Sequence, residues 1–150
     1  MPASGGPLEI ISRSTAVADP LVVRGSHIAY GDLGQALGIA VSAATAPWAA
    51  SHREHPVARA GGWSVTVEII GAEAALEPEG RVIVGLDVRA TLRARSGNVY
   101  LAQTQTGCRE AGLGSAEEGA PVVYRCMMRV GRDLAGWLEG GVVPEPPAAP

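Results

Sequence analysis

Apolar and polar positions along the chain repeat with two different periods. Between residues 33 and 44, Leu33, Ala36, Leu37, Ala40, Val41 and Ala44 recur at three- and four-residue steps, which lines one face of a helix. Asp32 stands where its carboxylate can cap the first turn. Pro47 has no N–H to give the carbonyl four residues back, so the pattern predicts a kink or an end there. Residues 51–62 are polar, then glycine-rich, and read as a loop. A second helical stripe runs from about residue 120 to 139 through Val123, Cys126, Met127, Val130, Leu134, Trp137 and Leu138, and Gly140-Gly141 stops it.

Elsewhere the period is two. Residues 7–12 and 20–24 are short β-like runs separated by an Asp19-Pro20 turn, and residues 27–30 extend the second. In residues 63–70, Trp63, Val65, Val67 and Ile69 share one face. Residues 72–80 are acidic and break at Pro78. The clearest strand is 81–95: Val82, Val84, Leu86, Val88, Ala90, Leu92 and Ala94 point one way, and Arg81, Asp87, Arg89, Thr91, Arg93 and Arg95 the other.

Ser96-Gly97-Asn98 then turns the chain into a hairpin with residues 99–108. A three-residue loop pairs Arg95 with Val99 and Leu86 with Cys108, so that Tyr100, Ala102, Thr104, Thr106 and Cys108 share the Leu86 face. A two-residue loop would turn Cys108 to the opposite face, and the glycine-containing loop favours the first register. Residues 112–119 read as a loop. The order of elements predicts an α+β domain over residues 7–140, an antiparallel-rich β-sheet with two α-helices packed on one face. Residues 1–6 are expected to form a flexible tether and residues 141–150 a proline-rich disordered tail.

Composition narrows the functional classes. With 47% apolar and 18% charged residues in 150, one core is available and wholesale disorder is excluded. All 12 basic residues are arginine, so a P-loop lysine, a Schiff-base lysine and a Ser–Lys pair are excluded. A net charge of −3 leaves no basic footprint for nucleic acid. No apolar run approaches the ~18 residues of a membrane-spanning helix. The opening Met1-Pro2-Ala3-Ser4-Gly5-Gly6-Pro7 has neither the positive charge nor the apolar stretch of a signal peptide. Either the protein is cytosolic, or the chain is a mature sequence whose export signal has been removed and whose opening joins a lipid anchor to the domain.

Cys108 and Cys126 have no partner at zinc-ligand spacing. As buried thiols they would behave as small hydrophobes; as a disulfide they would imply an oxidising compartment. The hairpin register and the second helical stripe put both on one buried interface, which favours the bond.

Catalytic patterns are weak. His52 and His55 flank Glu54 in a polar loop without a third ligand at a recognisable spacing, and His27 stands apart. Gly112-Leu113-Gly114-Ser115 completes neither a nucleophile elbow nor a phosphate loop, and Glu73, Glu77 and Glu79 read as a solvated run rather than a calcium site. Trp48, Trp63 and Trp137 fall on apolar faces and read as core. The outward Arg81, Arg89, Arg93 and Arg95 are the best candidate for a partner-binding face, because arginine suits carboxylate and phosphate recognition. The alternative is an ordinary solvated sheet face. No enzyme activity, metal or cofactor is expected.

The layout resembles the ABC-transporter auxiliary lipoproteins, accessory proteins of Gram-negative envelope transport systems. The likeness lies in YGDLGQALGIAVSAA, WSVTVEIIGAEA, RVIVGLDVRATLRARSGNVYLAQTQ and VVYRCMMRVGRDLAGWL, together spanning roughly residues 7–140. It implies a non-enzymatic periplasmic scaffold subunit, a lipoprotein when full length, that docks envelope transporter subunits and can self-associate as a homo-oligomer. Lipopolysaccharide-assembly lipoproteins share a related layout. The competing expectation is a cytosolic domain holding a small ligand between sheet and helices, and a third is an enzyme built on the His52–His55 loop.

Overall fold

The computed structural model describes residues 6–14, 21–25, 29–113 and 116–143. The strands are β1 (Leu8–Arg13), β2 (Leu21–Val22), β3 (Ala29–Tyr30), β4 (Trp63–Leu76), β5 (Arg81–Ala94) and β6 (Val99–Leu113). The helices are α1 (Leu33–Ser51), the single turn α2 (Pro56–Arg59) and α3 (Ala116–Trp137), followed by a wide turn over Leu138–Val142. The main sheet has the order β1-β4-β5-β6, with β1 parallel to β4 and the other pairs antiparallel. Helices α1 and α3 pack side by side on one face, as an α+β fold with an antiparallel-rich sheet requires. β2 and β3 form a separate antiparallel ribbon, and Arg24 bridges to Ala75 at the far end of β4.

The inner face of the sheet carries the alternating apolar set of β4 and β5, whose Trp63, Val67, Val84 and Leu92 are wholly buried against Leu37 and Val41 of α1 and Met127 and Val130 of α3. The two helices cross where Gly131 of α3 meets Ala40 and Ala44 of α1; a Cβ on Gly131 would stand 2.9 Å from the Ala40 oxygen. A bare glycine there lets the two backbones approach.

Several expectations change on contact with tertiary structure. Pro47 does not end α1, which runs on to Ser51. The proline costs the bond to the Ala43 carbonyl, but buried Thr45 and Trp48 on either side hold the last turn against the core. Asp32 takes a left-handed backbone (φ 55°) and its carboxylate makes no capping bond; its carbonyl instead accepts from the Ala36 N–H at 3.0 Å. The segment read as a loop before Gly62 contains α2. The acidic stretch after Ile70 is not a loop either: β4 continues to Leu76 by absorbing one extra residue as a bulge between Ile69 and Gly71, which restores the inward alternation. Likewise β6 reaches Leu113, and α3 starts at Ala116.

The hairpin keeps the expected Leu86–Cys108 pairing by an unexpected route. The loop has four residues, closing on Ala94–Val99, and an extra residue at Leu101 then brings Leu92 opposite Ala102. Tyr100 therefore pairs with Arg93 and lies on the outer face, not with Ala102 and Cys108. Val143, expected in the tail beyond residue 140, is 6% exposed and packs in the core; Gly141 (φ 90°) makes the turn that returns the chain there. Residues 1–5 of the tether expected over 1–6, the Asp19-Pro20 turn, and residues 144–150 of the tail expected over 141–150 lie outside the described residues.

Candidate functional site

Three groups of residues hold the chemistry of this chain, and the first is the seam between β6 and α3. Alternate residues of β6 face the helix, and each meets a partner as α3 runs back along the strand. The Thr106 hydroxyl donates to an Asp133 carboxylate oxygen at 2.9 Å. Cys108 is bonded to Cys126 as a disulfide with Cα atoms 5.3 Å apart. Glu110 accepts from Arg129 at 2.9 Å and lies 3.8 Å from Arg125. At Gly112 the helix comes so close that a Cβ would overlap the Val122 side chain. Alternation brought Cys108 inward, and helical spacing brought Cys126 to meet it. The ion pairs were not legible, because sequence spacing does not say which turn of a distant helix will lie over a strand.

The second group surrounds Trp63. Trp48 and His52 stack with ring centres 4.1 Å apart, and Trp63 meets Trp48 and His55 edge-on, each at 5.0 Å. The histidines have structural duties. His52 Nδ1 donates to the Trp48 carbonyl at 2.8 Å, and His55 Nδ1 accepts from the Val57 N–H at 3.0 Å, which caps α2. Among the described residues no three histidine, cysteine or carboxylate side chains gather as a metal site. Glu54, between the histidines, hydrogen-bonds and pairs with Arg59, which holds its carboxyl below the usual range. Trp48 and Trp63 are core residues, and Trp137 is half-buried against the core.

The third group is the outer face of the sheet, where the arginines were expected. Arg81 is exposed, Arg89 and Arg93 are half-buried, and all three stand on the outer positions of β5. Arg95 does not join them: it begins the turn after β5, its N–H bonded to the Gly62 carbonyl at 2.9 Å. Arg89 lies 3.5 Å from Glu68 of β4. Arg109 of β6 reaches across Gly85 to Glu73 of β4 at 3.0 Å, a span of two strands that the missing side chain at Gly85 leaves open. Glu73 is thus a strand residue rather than part of a loop, solvent-exposed as expected, with Arg109 as its partner. Ser64, Thr66 and Thr91 are buried on this polar face; Gln103 donates to the Thr91 hydroxyl at 3.2 Å. Asp87 sits between Gly71 and Gly107, with nothing but glycine beside it on either neighbouring strand. Arg81 and Arg93 make no ion pair among the described residues.

No helix among the described residues is long and apolar enough to cross a membrane. No family model matches the chain, and no curated protein matches it. Solved structures do share its fold. A Xanthomonas campestris protein of the family-model DUF330 superposes with a TM-score of 0.61 at 14% identity, covering 91% of this chain and 87% of that one. A putative lipoprotein from Caulobacter crescentus gives 0.60 at 9% identity, covering 95% and 96%. A hypothetical protein from Chlamydia trachomatis gives 0.55 at 11% identity, covering 93% and 99%. At these identities the likeness is one of fold, and this chain shares the architecture of DUF330 proteins and putative lipoproteins.

Proposed function

We propose that this protein is a non-enzymatic accessory subunit of an ABC-type envelope transport system, held on the periplasmic side by a lipid tether. The observation that carries the reading is the outer face of the sheet. Three long strands present a polar platform on which Arg81 and Arg93 have no acidic partner among the described residues. Such groups suit carboxylates of a docking subunit. Two further observations support the compartment. The Cys108–Cys126 disulfide fits an oxidising environment. The shared fold includes a protein described as a candidate lipoprotein.

The mechanism is scaffolding. The helices bury the inner face of the sheet, and the outer face is left to hold transporter components in register.

In vivo cross-linking of the epitope-tagged protein in its own host, with mass spectrometry of the captured partners, tests the reading. Permease or ATPase subunits should be captured by the wild type and lost in the Arg81→Glu/Arg93→Glu variant. Capture of those subunits unchanged in that variant would remove the arginine face from the reading. Fractionation of the protein to the cytosol with both cysteines alkylatable would overturn the compartment. Replacing His52 and His55 with alanine tests the enzyme alternative when circular dichroism shows the variant folded, since the histidines otherwise serve only the local packing and the α2 cap.

A further inference from the structure

Among the described residues, no strand pairs with the outer edge of β1. β1 is an edge strand of the main sheet. The Trp63 N–H donates to the Pro7 carbonyl at 2.7 Å, and the parallel register continues to Arg13–Glu68, so the odd-numbered residues of β1 direct their backbone groups at β4. The N–H and C=O groups of Leu8, Ile10 and Ser12 therefore point away from the sheet, a row of donors and acceptors ready for another strand. The opposite edge is less regular, since β6 is interrupted by its bulge at Leu101.

Beside this edge runs a continuous groove between β1 and α1, formed by two depressions of about 460 and 590 Å³ that share Ile10 and Ser42. Its helical wall is low. Gly34, Gly38, Ser42, Ala46 and Ala50 stand at successive steps of four, and Ile39 rises beside them 64% exposed. At the end of the groove, the Ser14 hydroxyl is enclosed and has no hydrogen-bond partner among the described residues.

Charge decides what fits. On β1, Glu9 and Arg13 lie two residues to either side of Ile11, with opposite signs, and neither forms an ion pair among the described residues. We infer that the occupant is a second copy of this chain, related by a two-fold axis through Ile11. An antiparallel copy about that point places each Glu9 opposite the partner's Arg13, twice per dimer. Leu8, Ile10, Ser12 and Ser14 then fall opposite Ser14, Ser12, Ile10 and Leu8 of the partner. These even-numbered residues are the ones whose backbone groups face outward, so they become the hydrogen-bonded pairs. Ile11 meets its own copy as a close non-hydrogen-bonded pair on the outer face. On the helix side, Gly38 of α1 already touches Ser12, so the axis brings the two α1 flanks together at Gly38, Ile39 and Ser42. Small residues there allow the close approach, and Ile39 gains a cover. The result is one continuous eight-stranded sheet. This inference does not rest on the transport reading.

Sedimentation equilibrium of the full chain, with cysteine cross-linking, tests it. The wild type should be a dimer. Glu9→Arg and Arg13→Glu should each weaken dimerisation by roughly tenfold or more, because two attractive pairs become two repulsive ones. The double variant should return to within about threefold of wild type, since both pairs are restored with their signs exchanged. Ile11→Cys should form an intermolecular disulfide in air, as close non-hydrogen-bonded pairs place Cα atoms about 4.5 Å apart. Ile10→Cys should not. A monomer at about 100 μM, a dimer indifferent to both charge reversals, or cross-linking through Ile10 rather than Ile11 would each overturn the inference.

Discussion

Removing the Cys108–Cys126 bond should cost this protein about 3 kcal/mol. The bond closes a segment of 18 residues between the middle of β6 and the first half of α3. In the chain-entropy picture, opening a loop of that length returns roughly 11 cal/mol/K to the unfolded ensemble, or about 3 kcal/mol at room temperature. In a chain of this size that lowers the melting temperature by about 6–12 °C. Cys126 is fully buried, so alanine is the better replacement than serine, whose hydroxyl would lack a partner there. The design is a cycle of Cys108→Ala, Cys126→Ala and the double variant, followed by urea unfolding with and without reductant. Each single variant breaks the same bond, so the double should cost little more than either alone. Reductant should lower the wild type to the level of the double and leave the variants unmoved. Intact mass after alkylation, before and after reduction, verifies the thiol state of each sample. Additive costs in the singles, or a double variant within about 1 kcal/mol of wild type, would show that the bond does not restrain the unfolded chain. The seam would then be held by Thr106–Asp133 and the Glu110 ion pairs, and the bond would add no constraint of its own.

Gly131→Val should destabilise by about 1–3 kcal/mol, because its side chain would drive into Ala40 and Ala44 of α1. Gly136→Ala, where a Cβ would meet nothing within 4 Å, should instead stabilise by about 0.5–1 kcal/mol. Urea midpoints that move in the same direction for both would contradict the helix-crossing account. Leu37→Ala, at a site with 0% exposure between sheet and helices, should cost about 2–5 kcal/mol by the same assay. Arg59→Ala should raise the Glu54 carboxyl toward its ordinary value, seen in an NMR titration of its side-chain resonances. Because folding depresses that carboxyl, its contribution to stability is present above the ordinary carboxylate range and is lost as pH falls through the depressed value. An unchanged Glu54 titration in Arg59→Ala would assign the depression to another cation.

Local pattern was enough to determine most of the elements and the faces they bury. A period of two in β5 and a period of three to four in α3 identify Leu86, Leu92, Cys126 and Val130 as interior, because a side chain's direction depends only on its own backbone. The same alternation carried the pairing of Leu86 with Cys108, and from it the meeting of the cysteines. Tertiary structure decided whatever depends on two distant segments at once. Pro47 stays inside α1 because Trp48 beyond it is held in the core, a contact worth more than the lost hydrogen bond. The bulges near Ile70 and Leu101 adjust strand length to a neighbour whose own length is not written locally. Arg89 and Arg109 find Glu68 and Glu73 only once β4, β5 and β6 lie in register. The placement of β1 beside β4 follows the same rule. Its residues announce a strand, but only the assembled sheet makes it an edge, with Glu9 and Arg13 evenly placed about Ile11. Local preference is read from a few neighbouring residues, whereas strand order and cross-strand partners follow from how the whole chain closes on one core.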